Sequence, residues 1–352
     1  AFNTLSFNIP ADLKTKFAEE YSDLTFTGVI NGPSNEYLLD NLNLGIPSGG
    51  EDTDVDEPQN ETGHILTINF PAGVNPEAIA MNANDFLKIN DRATISSGGA
   101  FGAISCSGES GINLGVASNV GDVTSDGVVE LREGATVNGS LNSSQPISTQ
   151  GSYTITGEIS EDAILQPLMP LSIIAEFPSE TNGPVSVSPD AVETLEPGAY
   201  DNLTLSSRAR LTLTAGTYTF DTVIFEPQSV LIIDDAKGPV SFFVENNFTF
   251  RGTIESATNG FPNWVLGVLG TNTVSLETAF SGTVVAPNAK INLATVWGTP
   301  HMGSFYGKEI EIHQDATLVH MPMTMWKEVC QGQSASSSLS NSFCASYTVP
   351  AS

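Results

Sequence analysis

The sequence predicts an all-β chain that is largely a right-handed parallel β-helix, with an irregular N-terminal region and a C-terminal cap. Three observations predict it. Single aliphatic positions recur at a step of 18, namely Val123, Leu141 and Ile159, with Gly121, Gly139 and Gly157 in phase beside them. Short apolar pairs, two residues apart, continue between Gly, Asn and Ser as far as residue 313. Helical periodicity is nearly absent after residue 96. A short fixed period with aliphatics in register is the mark of stacked coils, whose aligned side chains form an interior ladder. Glycine fits the corners where a Cβ would meet the coil below.

Residues 1–95 form the first region, a mixed α+β cap or assembly segment. Phe2, Leu5, Phe7 and Ile9 suggest a short extended strand stopped by Pro10, and residues 11–21 fit one short helix with Asp12 near its start. Leu24 and Phe26, then Ile65, Ile68 and Phe70, alternate as strands do. Between them lies an acidic loop carrying Asp52, Asp54, Asp56 and Glu57. Alternating carboxylates in a loop can wrap a hard cation through oxygen ligands, so calcium is the one cofactor the sequence suggests. The loop lacks the glycine and distal glutamate of an EF-hand, and a solvated acidic loop is the alternative.

Residues 96–320 are the expected β-helix. Val129 and Ile147 repeat the 18-residue step at a second phase. Residues 160–182 break the pattern, because Pro167 and Pro170 cut an apolar run that becomes a packed crossover. Units then resume at Leu203/Leu205, Leu211/Leu213, Tyr218/Phe220, Val223/Phe225 and Val230/Ile232, and further on at Phe248/Phe250, Ile291/Leu293 and Ile310/Ile312. Residues two apart on a strand share a face, so each pair is expected to point inward.

Residues 321–352 form the expected C-terminal cap. Met321, Met323, Met325 and Trp326 read as a core plug. In an exported chain Cys330 and Cys344 are the natural disulfide, closing a Gln/Ser-rich loop, with Cys106 free and buried. The sequence opens on Ala1, so an initiator Met and any export signal are expected to have been removed already.

Charge narrows the partners. Against 12 Lys+Arg stand 40 Asp+Glu, a formal net charge of −28, which should repel nucleic acid and anionic membranes. No apolar run is long enough for a membrane helix. His64, His301, His313 and His320 are scattered, without a metal-binding spacing. Arg208, Arg210, Arg251, Lys290 and Lys308 form no evident group, and Asp234, Asp235, Glu309 and Glu311 fall at turn or strand positions expected to be solvated. No nucleophile, P-loop or dinucleotide motif is present, so the expectation is a chain that is not an enzyme.

The segment from Gly121 through Val123, Gly139 and Leu141 resembles the bactofilin-like, polymer-forming repeat. Leu195-Glu-Pro-Gly-Ala-Tyr, the stretch from Phe280 to Ala289 with its Ala-Pro-Asn-Ala corner, and Gly303-Ser-Phe-Tyr-Gly-Lys-Glu-Ile are similar to an uncharacterised β-helical domain of bacterial exported, cell-surface and pilus-associated proteins. That resemblance implies an extracellular or cell-surface location and a structural subunit that forms or decorates a fibre or coat. Assembly as a homo-oligomer or polymer is expected through strand addition by Phe2, Leu5, Phe7 and Ile9. The alternative is a monomeric adhesin or glycan-binding module using an exposed aromatic face around Trp264, Trp297, Phe305 and Tyr306. A polysaccharide-active enzyme is the third reading.

Overall fold

Alternating short apolar pairs bury one face of each strand, and a parallel coil is how consecutive strands of this length can share one interior. The computed structural model describes residues 67–69, 77–163, 171–175, 177–323, 327–328 and 346–348. Those residues are all-β and build a parallel solenoid of about 12 turns. The proposed strand at residues 2–9, the helix at 11–21, the acidic loop and the Cys330/Cys344 pair lie outside the described residues.

Each full turn passes over three faces. In one coil these are Val129–Leu131, Ala135–Val137 and Leu141–Ser143, each with the same buried, half-buried, buried alternation. The step of 18 is the coil itself: Val123 pairs in register with Leu141, and Leu141 with Ile159. Val123 and Leu141 are fully buried, whereas Ile159 is 53% exposed because it belongs to the last coil of the stack. Gly157 shows why the corner is glycine, since a Cβ there would lie 2.7 Å from the backbone carbonyl of Gly139 in the coil below.

Most of the expected inward pairs are buried, including Leu203 and Leu205, Phe248 and Phe250, and Ile310 and Ile312. The strand Val230–Asp234 is a correction: Leu231 and Ile233 point inward, and Val230 and Ile232 are the half-exposed pair. Four consecutive aliphatics leave the parity of a strand undetermined by sequence, and the in-register partners Leu211 and Leu213 decide it.

Stacking order differs from chain order. Starting at Val185–Val187, the coils rise through Gly216–Phe225, Val240–Phe250 and Ser281–Leu293 to His301–Ile312. The next strand in space is Ile79–Ile89, which pairs with His301–Ile312 on one side and with Ala103–Cys106 and Gly111–Leu114 on the other. Thr94–Ser97 likewise pairs with Thr317–His320. The solenoid therefore begins at Ile79 and takes in residues 79–95, which the sequence places in the N-terminal region. It consists of two halves, residues 185–323 and 79–163, that meet at a seam in mid-stack, while the chain joining them leaves one far end and re-enters at the other.

Of that connection, residues 161–184, the described residues after 170 lie on the outside of the wall. Its strand Ser172–Ile174 pairs antiparallel with Thr67–Asn69, which in turn pairs with Ser346–Thr348. Leu171, Ile173, Ala175 and Phe177 pack on Phe243, Val265, Val285 and Tyr306, outward-facing residues of the solenoid wall. Leu171, Ile173 and Ala175 thus pack as a crossover, while Pro167 and Pro170 lie outside the described residues.

Candidate functional site

The side-chain chemistry of the described residues concentrates at the seam. The 79–163 half presents Lys88, Asn90 and Arg92 on its first coil, and the 185–323 half presents Glu311, Asp315 and His320 on its last. Lys88 and Glu311 are register partners, and Lys88 Nζ donates to Glu311 Oε1 at 3.0 Å. Asn90 Nδ2 donates to the same oxygen at 2.9 Å and Lys290 Nζ to Oε2 at 2.6 Å. Arg92 grips Asp315 with two parallel bonds of 2.6 and 2.9 Å. Both residues sit in the left-handed region, at φ 59° and 62°, on stacked corners that aim their side chains outward together. Burial alone would raise Glu311, but hydrogen bonds from Lys290, Asn90 and Lys88 outweigh it and bring the carboxyl down to about 2.

His320 closes the seam on the third face. It is 3% exposed, stands opposite Ser97, and shares a 3.1 Å hydrogen bond between Nδ1 and Ser97 Oγ. Its Nε2 is buried with no partner, and burial pushes the imidazole down to about 4. His301 is a different case: Nδ1 accepts from the Phe280 amide at 3.3 Å and Nε2 lies 2.7 Å from the Ala294 carbonyl, which makes Nε2 the protonated nitrogen. Both histidines are buried. His313 is half-buried, and among the described residues no group of three His, Cys, Asp or Glu is placed to hold a metal.

Beside the seam, at the corner between two faces, inserted residues open a groove of about 420 Å3 lined by Asn84, Asp85, Thr271, Pro287, Asn288 and Lys308. Asn84 belongs to the crossover as much as to the groove. Its Oδ1 accepts the Leu171 amide at 2.9 Å and its Nδ2 donates to the Leu171 carbonyl at 3.2 Å. One amide thus pins the returning chain to the first coil of the 79–163 half. Asp85 accepts from Ser110 Oγ at 3.0 Å, and Asn288 donates to the Leu269 carbonyl at 2.9 Å.

The proposed aromatic face is not a face. Trp264 and Phe305 point into the solenoid, where Phe242, Trp264, Phe280 and Phe305 make successive ring contacts, and Trp264 Nε1 donates to the Ser281 carbonyl at 2.7 Å. Tyr306 points outward but is buried beneath the crossover, its hydroxyl on the Ile79 carbonyl at 3.1 Å. Trp297 alone of the four is on the surface, 81% exposed. Consecutive Phe305 and Tyr306 necessarily point opposite ways on a strand, which by itself forbids one surface from holding both.

The scattered cations and acids also find structural partners. Arg208 pairs with Asp190, Arg210 with Glu255 and Arg251 with Glu277. Asp234 accepts the Ala236 amide, and Asp235 accepts from Thr258 and from the Asn263 amide. Cys106 is free and buried, as expected, its thiol pushed up to about 11 by burial. The bases opposite acids at the seam have no local sequence signal, since Lys88 and Glu311 lie in different halves of the chain. No helix among the described residues is long and apolar enough to cross a membrane. No family model, no curated protein and no solved structure matches this chain.

Proposed function

We propose that the chain is an extracellular structural subunit that forms or decorates a surface fibre or coat. The observation that carries this reading is the continuous stack of about 12 parallel turns, filled with side chains along its whole length and joined without a break across its seam. Such a stack is a stiff rod, and a rod is what a load-bearing subunit needs. The strong negative charge supports the same reading, because it keeps a repetitive β surface soluble until it is assembled. Negative-stain electron microscopy and light scattering on the purified protein test it. Filaments or ordered sheets are expected as concentration rises, and a monodisperse monomer at every concentration and salt would reject a fibre-forming role.

A second reading, a glycan-binding module, draws on the corner groove. Asp85, Lys308, Thr271 and Asn288 offer both donors and acceptors to a hydroxyl-rich ligand. Calorimetry against acidic and neutral oligosaccharides, with Asp85→Ala and Lys308→Ala as controls, tests it. Binding lost in both variants would favour this reading; no heat with any glycan would remove it.

A further inference from the structure

Three coil surfaces of this rod can receive a second copy of the chain: its two far ends and, if the halves part, the seam. The ends are guarded. At one end Glu161 Oε1 accepts the Ile147 amide, at 3.2 Å, on the outermost coil, so the carboxylate occupies a strand edge that a neighbour would need. At the other end Glu193 stands at the ladder position that Leu211 and Leu231 fill in the next two coils. Stacking another coil there would bury its charge. Inward or edge-capping charges are how β proteins prevent edge-to-edge association.

The seam has the opposite character. Its lips carry Lys88, Asn90 and Arg92 against Glu311 and Asp315, complementary charges within a chain that has few cations to place. Residues 161–184 link the halves at their far ends, and on the seam side the flanking strands Thr67–Asn69 and Ser346–Thr348 pair with each other. The connecting residues 161–184 can extend to roughly 80 Å at about 3.3 Å per residue. A stack of about 12 turns spans on the order of 55 Å at the usual strand spacing, so the connection has slack to reach a neighbouring rod.

We infer that the seam is also the surface through which two copies associate, the 79–163 half of one copy closing on the 185–323 half of another. This deepens the structural-subunit reading and rests on it for its purpose. Every seam contact is the same whether the two halves belong to one chain or two, so exchange needs no new surface. The tether's effective concentration favours the closed monomer, and high protein concentration favours exchange. What holds the closed form is the crossover, because Asn84 pins Leu171 to one half while Ile173 and Phe177 pack with residues of the other. Exchange between two chains closes as a dimer; exchange passed from copy to copy does not close and gives a fibre.

The test uses two full-length chains, one with Lys88→Glu and Arg92→Glu, the other with Glu311→Lys and Asp315→Arg. Each alone has like charges on both lips, so each should melt several degrees below the parent. Unfolded together and refolded, they should give a 1:1 dimer by light scattering and native mass spectrometry, since each seam of the exchanged pair is again complementary. One chain carrying all four substitutions should be a monomer that melts above either double variant, short of the parent because Glu311→Lys also gives up the bond from Lys290. The inference is overturned if the mixture yields only single-variant species while the four-substitution chain folds. It is equally overturned if that chain melts no higher than either double variant, because charge pairing then does not hold the seam. Filaments of the parent that persist in both double variants would sink exchange and leave the fibre reading intact. Mixed dimers from a parent that never forms fibres would do the reverse.

Discussion

Glu311 collects hydrogen bonds from three side chains while remaining only 20% exposed, so its charge and the seam are energetically one object. Its carboxyl falls from an ordinary value of 4.5 to about 2 on folding. A group depressed in the folded state contributes stability above its unfolded pKa and loses it as pH falls through the folded one, here between about 4.5 and about 2. Partial exposure screens the effect, so the expected loss is about 1–3 kcal/mol. Glu311→Gln should lower stability at neutral pH by a similar amount and flatten that acid limb in urea titrations. His320 acts in a separate window. Its imidazole drops from 6.5 to about 4, so the unfolded chain binds the extra proton and stability falls as pH drops from about 6.5 toward 4. Melts at pH 7 and pH 5 should therefore differ by more in the parent than in His320→Gln; equal slopes would mean that His320 is not the titrating group. The sequence shows that these histidines belong to no metal motif, but it cannot show that Glu311 faces Lys88, since the two are 223 positions apart.

At the scale of the element, the interior ladder is the feature most legible in the sequence. Val123 and Leu141 repeat, align and bury together because a coil of constant length returns each inward position to the same place. Leu141→Ala should cost about 2–4 kcal/mol, as expected for a fully buried leucine, and Leu141→Asp more, because it leaves an unpaired charge in the ladder. Ile159→Ala, one coil further on, should cost under about 1 kcal/mol, since that side chain is already 53% exposed. Equal costs for Leu141→Ala and Ile159→Ala, measured by denaturant unfolding, would contradict the assignment of Ile159 to the last coil. The crossover is legible only as an interruption. Its proline-cut composition excludes a long helix, yet nothing local indicates that Leu171 meets Asn84 or that Phe177 covers the wall beside Tyr306. Asn84→Ala should speed hydrogen exchange at the Leu171 amide by at least tenfold, about 1.4 kcal/mol of lost protection, with little change in the ladder strands. Parity is the other gap: Val230 and Ile232 look like an inward pair until their neighbours Leu211 and Leu213 set the register.

For the solenoid as a whole, the decisive feature is that its halves stack in the reverse of chain order. The seam then lies in mid-rod, the chain's own connection becomes an external strap, and Tyr306 is hidden beneath it. A continuation of the repeats in chain order would instead have set the coil at Val185–Val187 on the coil at Ile159–Ser160, leaving Ile79 and His301 at free ends. Cross-linking mass spectrometry of the monomer should recover a Lys88 to Lys290 link and weaken it in the Glu311→Lys, Asp315→Arg variant, which keeps both lysines; a link that survives unchanged would mean that those charges do not close the seam. The sequence by itself determined the fold class, the coil length, most inward ladder positions and the absence of a long helix after residue 96, because each follows from local alternation and a fixed period. Only the tertiary structure decided which coil lies on which, where the crossover runs, and which aromatic residues reach solvent. Parallel coils with similar three-sided interiors can stack in more than one order at similar burial. The observed order brings together residues more than 200 positions apart, such as buried Leu87 with Ile310 and, at the surface, Lys88 with Glu311, which leave no periodic trace in the chain.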